Sequence, residues 1–273
     1  MRLNHFQTRP KVASIDVVAY LQKLGLFKKL PSLNYLRQLH RKHLLCIPFE
    51  NLDAYFRVNS SLDIRKIFRK IIPTKRGGIC YELNLLFYHL LIHLGYECQL
   101  ISARTIDAGS GSWSPPYDHM AILVKIQEKI FLCDVGFGDG FNYPKELKEG
   151  QLQMDFNRYF QVFKDVDDNF TIKRTSDTRN FSMLYSFRIQ NREPIEFIDR
   201  FDFHQNSPSS HLVGRKVITK LTEEGRITLR DGLLLIDEMG ESIEVPILND
   251  DDFFTKMEEH FDINYQTLLQ QAR

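Results

Sequence analysis

The sequence predicts an α+β fold in which a helical segment, an antiparallel β segment and a mixed segment follow one another along 273 residues. Three observations support this prediction. Apolar residues recur at helical spacing in the first third of the chain. Short β-branched or alternating runs, separated by polar turns, fill the middle third. The last third combines two helical patterns with four strand-like runs.

The helical predictions rest on residues that begin and end helices. A serine hydroxyl accepts a hydrogen bond from a backbone N–H of the first turn, which satisfies one of the unpaired donors there. Proline stops a helix because it lacks an N–H, and glycine ends one because it readily adopts a positive φ. On these grounds, helices are predicted from an N-cap at Ser14 to Leu24, from Ser32 onwards, from Ser61 to Ile72 before Pro73, and from Cys80 to Leu94 before Gly95.

The strand predictions rest on alternating and β-branched runs. Closely spaced runs with polar turns predict a small antiparallel barrel or sandwich in the middle of the chain. These runs cover 99–104, 120–126, 129–135, 159–163, 170–173 and 184–189, with a loop rich in Gly, Ser and Pro at 107–117. In the last third, Pro194 opens a helix to about Phe203, strands are predicted at 217–220, 226–229, 233–236 and 243–245, and Asn249 caps a final helix.

Composition and charge exclude several classes of protein. Hydrophobic residues make up 43% and charged residues 26%, as in an ordinary globular chain and unlike a disordered one. The 36 Lys and Arg nearly balance the 35 Asp and Glu, so the bulk charge of +1 gives no support for nucleic-acid binding. No apolar run is long enough to span a membrane, and the first ten residues lack the apolar core of a signal peptide.

The four cysteines, Cys46, Cys80, Cys98 and Cys133, argue against a disulfide framework and against a metal site. Four thiols are few for a disulfide-stabilised chain of this length. No two of them form a C-x-x-C pair, and the Cys and His spacings are irregular, so we expect no metal. The expected compartment is therefore a reducing cytoplasm.

Cys80 differs from the other three cysteines because it follows two glycines and opens a predicted helix, in the run RGGICYELN at 76–84. The glycines allow a sharp turn with close backbone approach. The positive end of a helix favours the thiolate, which is the nucleophilic form of cysteine. The alternative is a buried, inert cysteine, which is how we interpret Cys46, Cys98 and Cys133.

A cysteine nucleophile needs a base, and His119 is the best placed of the nine histidines. It ends the Gly/Ser/Pro loop and begins an apolar strand, at a loop boundary where functional residues commonly lie. His40 and His43 are interpreted as surface residues on a basic helix face, and His204 has no clear partner.

Asp134 is the third candidate, because an acid at the end of an apolar strand is costly to bury without a partner. If 118–126 and 129–135 form a hairpin, His119 and Asp134 lie at the same open end. The alternative for Asp134 is a turn residue. With Cys80 they form a triad in which cysteine attacks, histidine accepts its proton and aspartate orients the imidazole. Such a triad transfers acyl groups, and the residues leave the acceptor open between water and an amine.

The same residues resemble the arylamine N-acetyltransferase family. The run RGGICYELN at 76–84 looks like the family's active-site signature, and IPFENL at 47–52 is similar to a second motif. HMA at 119–121 and DVGFG at 134–138 match the other two triad segments in type, order and spacing. NSPSSH at 206–211 and TEEGR at 222–226 are similar to weaker family features, so the resemblance covers nearly the whole chain.

The resemblance implies three segments around a cysteine-protease-like Cys-His-Asp core. These are an N-terminal helical bundle at 1–95 that carries the nucleophile, a central antiparallel β-barrel at 96–192 that carries His and Asp, and a C-terminal α/β lid at 193–273. It also implies a ping-pong reaction in which acetyl-CoA acetylates Cys80, CoA leaves, and an arylamine or hydrazine takes the acetyl group. A cytoplasmic enzyme of xenobiotic metabolism is expected, with no metal, nucleic-acid partner or membrane partner.

Carried over by position, the resemblance places Gly136, Phe137 and Gly138 near CoA and places Phe49 in the aryl pocket. Arg76 and Glu82 are expected to hold the active-site turn through buried polar contacts. Three alternatives stay open: an amide synthase of the same superfamily with another acyl donor, a Cys-triad hydrolase, and a catalytically dead module that binds CoA or an aryl group. The residues of the 105–117 loop have no assignment in the pocket.

Overall fold

The computed structural model describes residues 13–106, 110–266 and 268. The first ten residues, on which the expected lack of a signal peptide rests, lie outside the described residues. Residues 107–109 of the predicted loop also lie outside them. The order of elements is the predicted one, with helices first, antiparallel strands in the middle and a mixed segment last. The α+β class predicted from the sequence is therefore confirmed.

The helical segment packs around one buried helix. All residues of that helix, α5, from Cys80 to Leu91 are buried, as expected for a helix that is apolar on every side. It contacts strands of the middle segment as well as the other helices. The helices of this segment are α1 (Val17–Lys23), α2 (Leu33–Cys46), α3 (Leu52–Phe56), α4 (Ile64–Ile71) and α5 (Cys80–His93).

The helix caps agree with the sequence in part. Ser32 is confirmed as the N-cap of α2. The N-cap predicted at Ser14 is wrong, because Asp16 caps α1 and accepts a backbone hydrogen bond there. The start predicted at Ser61 is also too early, because Asp63 caps α4 with two backbone hydrogen bonds. In both cases a carboxylate two residues further on is the better acceptor for the helix N-terminus.

The middle segment is an eight-stranded antiparallel sheet in the order β5-β4-β3-β2-β9-β8-β7-β6. Gln153 joins its two outer strands, since its Oε1 accepts from Glu146 N at 2.8 Å and its Nε2 donates to Glu146 O at 2.9 Å. The sheet is therefore a nearly closed barrel rather than a sandwich. Its strands are β2 (Glu97–Thr105), β3 (His119–Ile126), β4 (Lys129–Cys133), β5 (Lys145–Glu146), β6 (Gln153–Asp155), β7 (Arg158–Lys164), β8 (Phe170–Thr175) and β9 (Ser182–Phe187).

The last segment combines helices with a five-stranded antiparallel sheet in the order β1-β10-β11-β12-β13. Its edge strand β1 (Phe49–Glu50) comes from the helical segment and pairs with β10, with Phe49 opposite Thr219. The first and last segments are therefore interlocked. The other elements are a 3₁₀ turn (Pro194–Phe197), α6 (Ile198–Asn206), β10 (Val217–Leu221), β11 (Gly225–Arg230), β12 (Leu233–Glu238), β13 (Glu241–Pro246) and α7 (Asp250–Phe261).

The predicted helix at 194–203 is thus a 3₁₀ turn followed by an α-helix, whereas Asn249 is confirmed as the cap of α7. The predicted segment boundaries at 95 and 192 fall between elements, and the division into three domains stays a prediction.

Candidate active site

The turn before Cys80 is built by two glycines that leave no room for a side chain. A Cβ at Gly77 would lie 1.8 Å from the carbonyl oxygen of Pro48, and one at Gly78 would lie 2.5 Å from Oε2 of Glu82. The chain therefore turns tightly enough to make Cys80 the first residue of α5. There the unpaired N–H groups and the helix dipole give a positive potential.

A buried ionic cluster supports this turn. Arg76 Nε donates to Oε1 of Glu50 at 2.9 Å, and its Nη2 pairs with Asp53. Lys70 Nζ lies 2.7 Å from Oδ2 of Asp53 and 2.9 Å from Oε1 of Glu82. Burial by itself would raise the pKa of Asp53, but Lys70 and Arg76 hold that pKa well below its usual range. Arg76 and Glu82 thus make buried polar contacts of the kind that the sequence predicts.

His119 and Asp134 meet at one edge of the barrel, as the hairpin predicts. Strands β3 and β4 pair antiparallel, with Ile122 opposite Cys133, so the start of β3 and the end of β4 are neighbours. His119 Nε2 lies 2.7 Å from Oδ2 of Asp134 and donates to it, because a carboxylate can only accept. The two residues are 3% and 2% exposed, so this contact is shielded from water.

The second carboxylate oxygen of Asp134 is also occupied. Its Oδ1 accepts from Nδ2 of Asn84 at 2.9 Å and from the backbone N–H of Gly136 at 3.0 Å. Asn84 in turn accepts from Val135 N at 2.9 Å. A Cβ at Gly136 would lie 2.7 Å from the Cα of Cys80, so only glycine lets this strand end approach α5 so closely.

The charges of these groups reinforce one another. Burial by itself would lower the pKa of His119, because the imidazolium loses its hydration. The Asp134 carboxylate and the Cys80 sulfur, each hydrogen-bonded to the ring, outweigh burial and raise the pKa of His119 to about 10. Burial would raise the pKa of Asp134, but His119, Asn84 and Gly136 N hold it below its usual value. At neutral pH the His119 ring is therefore an imidazolium that contacts the Asp134 carboxylate.

A second histidine supports Asp134, and the surface position predicted for His40 and His43 is wrong, since both side chains are fully buried. His40 Nε2 accepts from Asp134 N at 3.1 Å, and its Nδ1 donates to Asn142 O at 2.9 Å. Burial lowers the pKa of His40 to about 4, so the ring is neutral. The sequence did hold a signal, because His40 and His43 follow Leu36 by four and seven residues, at the spacing of one helix face.

A cavity of about 560 Å³ opens over Cys80 and His119. The centroid of the Phe137 ring lies 5.4 Å from that of His119, in an edge-to-face contact. Gly138, which adopts a φ of +80°, is not among the described residues that line the cavity. The lining includes five residues that the sequence proposed for the site, namely Phe49, Cys80, His119, Gly136 and Phe137.

One part of the cavity wall is charged, and the sequence did not reveal it. Asp118 Oδ1 accepts from Nε2 of His204 at 2.9 Å and pairs with Arg200, while Thr105 Oγ1 donates to its Oδ2 at 3.2 Å. Ser210 Oγ lies 2.9 Å from Nδ1 of His204. His204 therefore has two partners where the sequence showed none. Only the fold brings α6 to the start of β3, so no local pattern could have paired these residues.

The loop that the sequence left unassigned also borders the cavity. Trp113 forms an isolated β-bridge with Ile106, which folds the loop back on itself. Its described residues that line the cavity are Thr105, Ile106, Ser114 and Pro115.

Across residues 13–106, 110–266 and 268, no group of three or more His, Cys, Asp or Glu side chains is placed to hold a metal ion. Within the same ranges, no helix has the length and apolar character needed to cross a membrane.

Known proteins of one family resemble this chain over most of its length. A family model described as N-acetyltransferase matches residues 32–269. The pineal gland arylamine N-acetyltransferase isozyme of Gallus gallus is 27% identical over 278 residues, covering 91% of this chain and 94% of that protein. The arylamine N-acetyltransferase of Mycolicibacterium smegmatis is 27% identical over 233 residues, covering 83% of this chain and 84% of that protein.

Solved structures agree with this similarity. The arylamine N-acetyltransferase of Mycobacterium abscessus superposes with a TM-score of 0.85 at 25% identity, covering 94% of this chain and 95% of that one. A variant of the Mycobacterium smegmatis N-arylamine acetyltransferase gives a TM-score of 0.86 at 25% identity, covering 94% and 96% of the two chains.

Proposed function

Because this chain belongs to the arylamine N-acetyltransferase family, we propose that it moves an acetyl group from acetyl-CoA to an arylamine or hydrazine through an acetyl-cysteine at Cys80. The observation that carries the proposal is the convergence of Cys80, His119 and Asp134 beside one aromatic-lined cavity. The same geometry gives each of the three residues a role.

In the first half-reaction, the Cys80 thiolate attacks the thioester carbonyl of acetyl-CoA. The resulting oxyanion receives hydrogen bonds from backbone N–H groups at the start of α5, which point toward this end of the helix. The carbon–sulfur bond to CoA then breaks, and the departing thiolate takes the proton of the His119 imidazolium. The products are free CoA, acetyl-Cys80 and a neutral His119.

In the second half-reaction, the nitrogen lone pair of the amine attacks the carbonyl of acetyl-Cys80. Neutral His119 takes the proton that the amine loses, and the Cys80 thiolate leaves. The imidazolium and the thiolate are thereby restored. Throughout both steps Asp134 acts as the positioning residue, because its contact with Nε2 leaves Nδ1 of the ring facing Cys80.

The aryl pocket and the CoA site are assigned from residues near the triad. Phe49 and Phe137 provide apolar surface for an aromatic ring, which supports Phe49 as an aryl-binding residue. We place the turn at Gly136, Phe137 and Gly138 next to the CoA arm, since it follows the triad aspartate. The four cysteines are free thiols, as expected for a protein of a reducing cytoplasm. The proposed role in xenobiotic metabolism rests instead on the proposed aromatic amine and hydrazine acceptors.

Incubation with acetyl-CoA and no amine tests this function and separates it from hydrolysis. We expect one equivalent of CoA to be released per protein, followed by a stable acetyl-enzyme that an aromatic amine discharges. The Cys80→Ala variant should release none, while Cys46→Ala, which removes a half-buried cysteine elsewhere, should behave as wild type. Continuous CoA release without amine would instead indicate a hydrolase.

A further inference from the structure

A groove on the helical segment is separate from the cavity beside Cys80. It has a volume of about 410 Å³ and lies between α1 and the C-terminal end of α4, and we name it the α1–α4 groove. Among the described residues, the groove and the cavity share no lining side chain. Neither the triad nor the proposed acetyl transfer uses the α1–α4 groove, so its side chains are free to bind something else.

The floor of the α1–α4 groove is apolar. It is formed by Ala19 on α1, Phe68 on α4, Ile72 at the C-cap of α4 and Pro73 after it. Three of these four side chains are aliphatic, and the first three pack against the main core. The volume lies within the range of roughly 300–1,000 Å³ that is usual for small-molecule sites. Such a floor favours a ligand with a hydrocarbon body, because covering it removes apolar surface from water.

The rim of the α1–α4 groove is basic. Lys23, Arg69 and Lys75 line it, and no acidic side chain is among its described lining residues. Within residues 13–106, 110–266 and 268, neither Lys23 nor Arg69 belongs to an ion pair, whereas Lys75 lies 3.6 Å from Asp262 on the exposed surface. Burial lowers the pKa of Lys23, and the charge of Lys75 lowers it further. Two like charges therefore lie near one another at this rim.

Helix ends offset part of this positive charge. Lys23 lies in the last turn of α1, and Arg69 lies in the last turn of α4. Each helix C-terminus carries roughly half a negative charge, so two helix ends and Asp262 together balance about two of the three cations. About one positive charge is left at the rim, which matches a ligand with a single negative charge.

We propose that the α1–α4 groove binds a monocarboxylate with an aliphatic chain. The carboxylate lies among the three cations of the rim, and the chain covers the apolar floor. Arg69 offers the paired N–H groups that hold a carboxylate at both oxygens. Lys23 Nζ is already held by the carbonyl oxygen of Thr74, so it loses little freedom when it binds. The chain's own residues 1–12 are unsuited to the site, because they contain three Arg or Lys and no acidic residue.

Calorimetric titration of the full chain with decanoate, below the concentration at which decanoate forms micelles, tests the proposal. The variant Arg69→Gln with Lys75→Gln removes two exposed charges from the rim and should weaken decanoate binding about 10-fold or more. The matched control is Arg65→Gln with Lys66→Gln, which removes two exposed charges of α4 outside the groove and should change binding less than about twofold. Acetate, which lacks the chain, and decyltrimethylammonium, which reverses the charge, should both bind at least about 10-fold more weakly than decanoate.

A second pair of variants tests the floor without changing the charge. Ala19→Phe fills the α1–α4 groove and should prevent decanoate binding. Val18→Phe is its control, because Val18 is the preceding residue of α1, is 65% exposed and lies outside the groove. Arg200→Gln should bind decanoate as the wild type does, because Arg200 lines the cavity beside Cys80 instead.

Several results would overturn the proposal. Equal weakening in the rim variant and in its α4 control would show that decanoate responds only to the overall charge. Weaker binding in Arg200→Gln, with wild-type binding in the rim variant, would place decanoate in the cavity beside Cys80. Decyltrimethylammonium that binds as tightly as decanoate would remove the role of the cations. No decanoate binding, together with self-association that the rim variant abolishes, would assign the α1–α4 groove to a second copy of the chain.

Discussion

The Asp134→Asn variant tests how far the chemistry depends on the carboxylate beside His119. In the wild type, Oδ1 of Asp134 accepts N–H bonds from Asn84 and Gly136, so the amide oxygen of an asparagine would take that place. The NH₂ group then faces Nε2 of His119, and that nitrogen has to accept. The proton of the neutral ring moves to Nδ1, and the ring can no longer take a proton from Cys80.

The size of the effect follows from the pKa of His119. Against the lowering effect of burial, Asp134 and Cys80 raise it from 6.5 to about 10. That difference corresponds to roughly 5 kcal/mol in favour of the imidazolium. With the carboxylate removed and the tautomer reversed, we expect acetylation of Cys80 by acetyl-CoA to slow by about 10³-fold or more.

The assay measures CoA release in the first turnover, together with the rate of alkylation of Cys80 by iodoacetamide at pH 7. Both rates should be lower in Asp134→Asn than in the wild type, because the thiol loses the base that takes its proton. The Asp199→Asn variant, at an exposed carboxylate on α6, is the control. Wild-type rates of CoA release and of alkylation in Asp134→Asn would refute this reasoning.

Three further predictions concern stability. Gly136→Ala places a Cβ 2.7 Å from the Cα of Cys80 and should lower the urea unfolding free energy by about 1–3 kcal/mol; unchanged stability would contradict the close packing. Lys70→Met leaves the buried Glu82 carboxylate without its cation and leaves Asp53 with Arg76 alone, so it should cost about 3–5 kcal/mol. The exposed Lys66→Met on the same helix should cost less than about 0.5 kcal/mol. The pKa of His119 is raised to about 10 in the folded protein, so its stabilising contribution is complete below about pH 6.5 and is lost as the pH rises toward 10. The difference in urea unfolding free energy between wild type and His119→Gln should therefore shrink over that pH range.

Local chemistry explains which parts of the fold the sequence predicts. The helix caps predicted at Ser32 and Asn249 are correct because a cap depends only on the helix turn that follows it. The predicted pairing of His119 with Asp134 is confirmed because one short hairpin joins them, so strand alternation and order are enough.

The features of the fold and of the site that the sequence does not predict depend on contacts between distant parts of the chain. Strand β1 has only two residues and forms because it pairs with β10, so no run of β-branched residues in the sequence predicts it. The pairing of Asp118 with Arg200 and His204 likewise exists only once α6 has packed beside β3. The surface position predicted for His40 is wrong because its basic neighbours on α2 indicate an exposed face, whereas its spacing from Leu36 places it on the buried face.

If Cys80 carries the acetyl group between donor and acceptor, it must be acetylated in the absence of an amine. Intact-mass spectrometry after incubation with acetyl-CoA, followed by peptide mapping, detects that intermediate. We predict a single added acetyl group that maps to Cys80 and disappears, with formation of the N-acetyl product, when an arylamine is added. An acetyl group on another residue, or acetylation of the amine at the wild-type rate by Cys80→Ala, would rule out this role of Cys80.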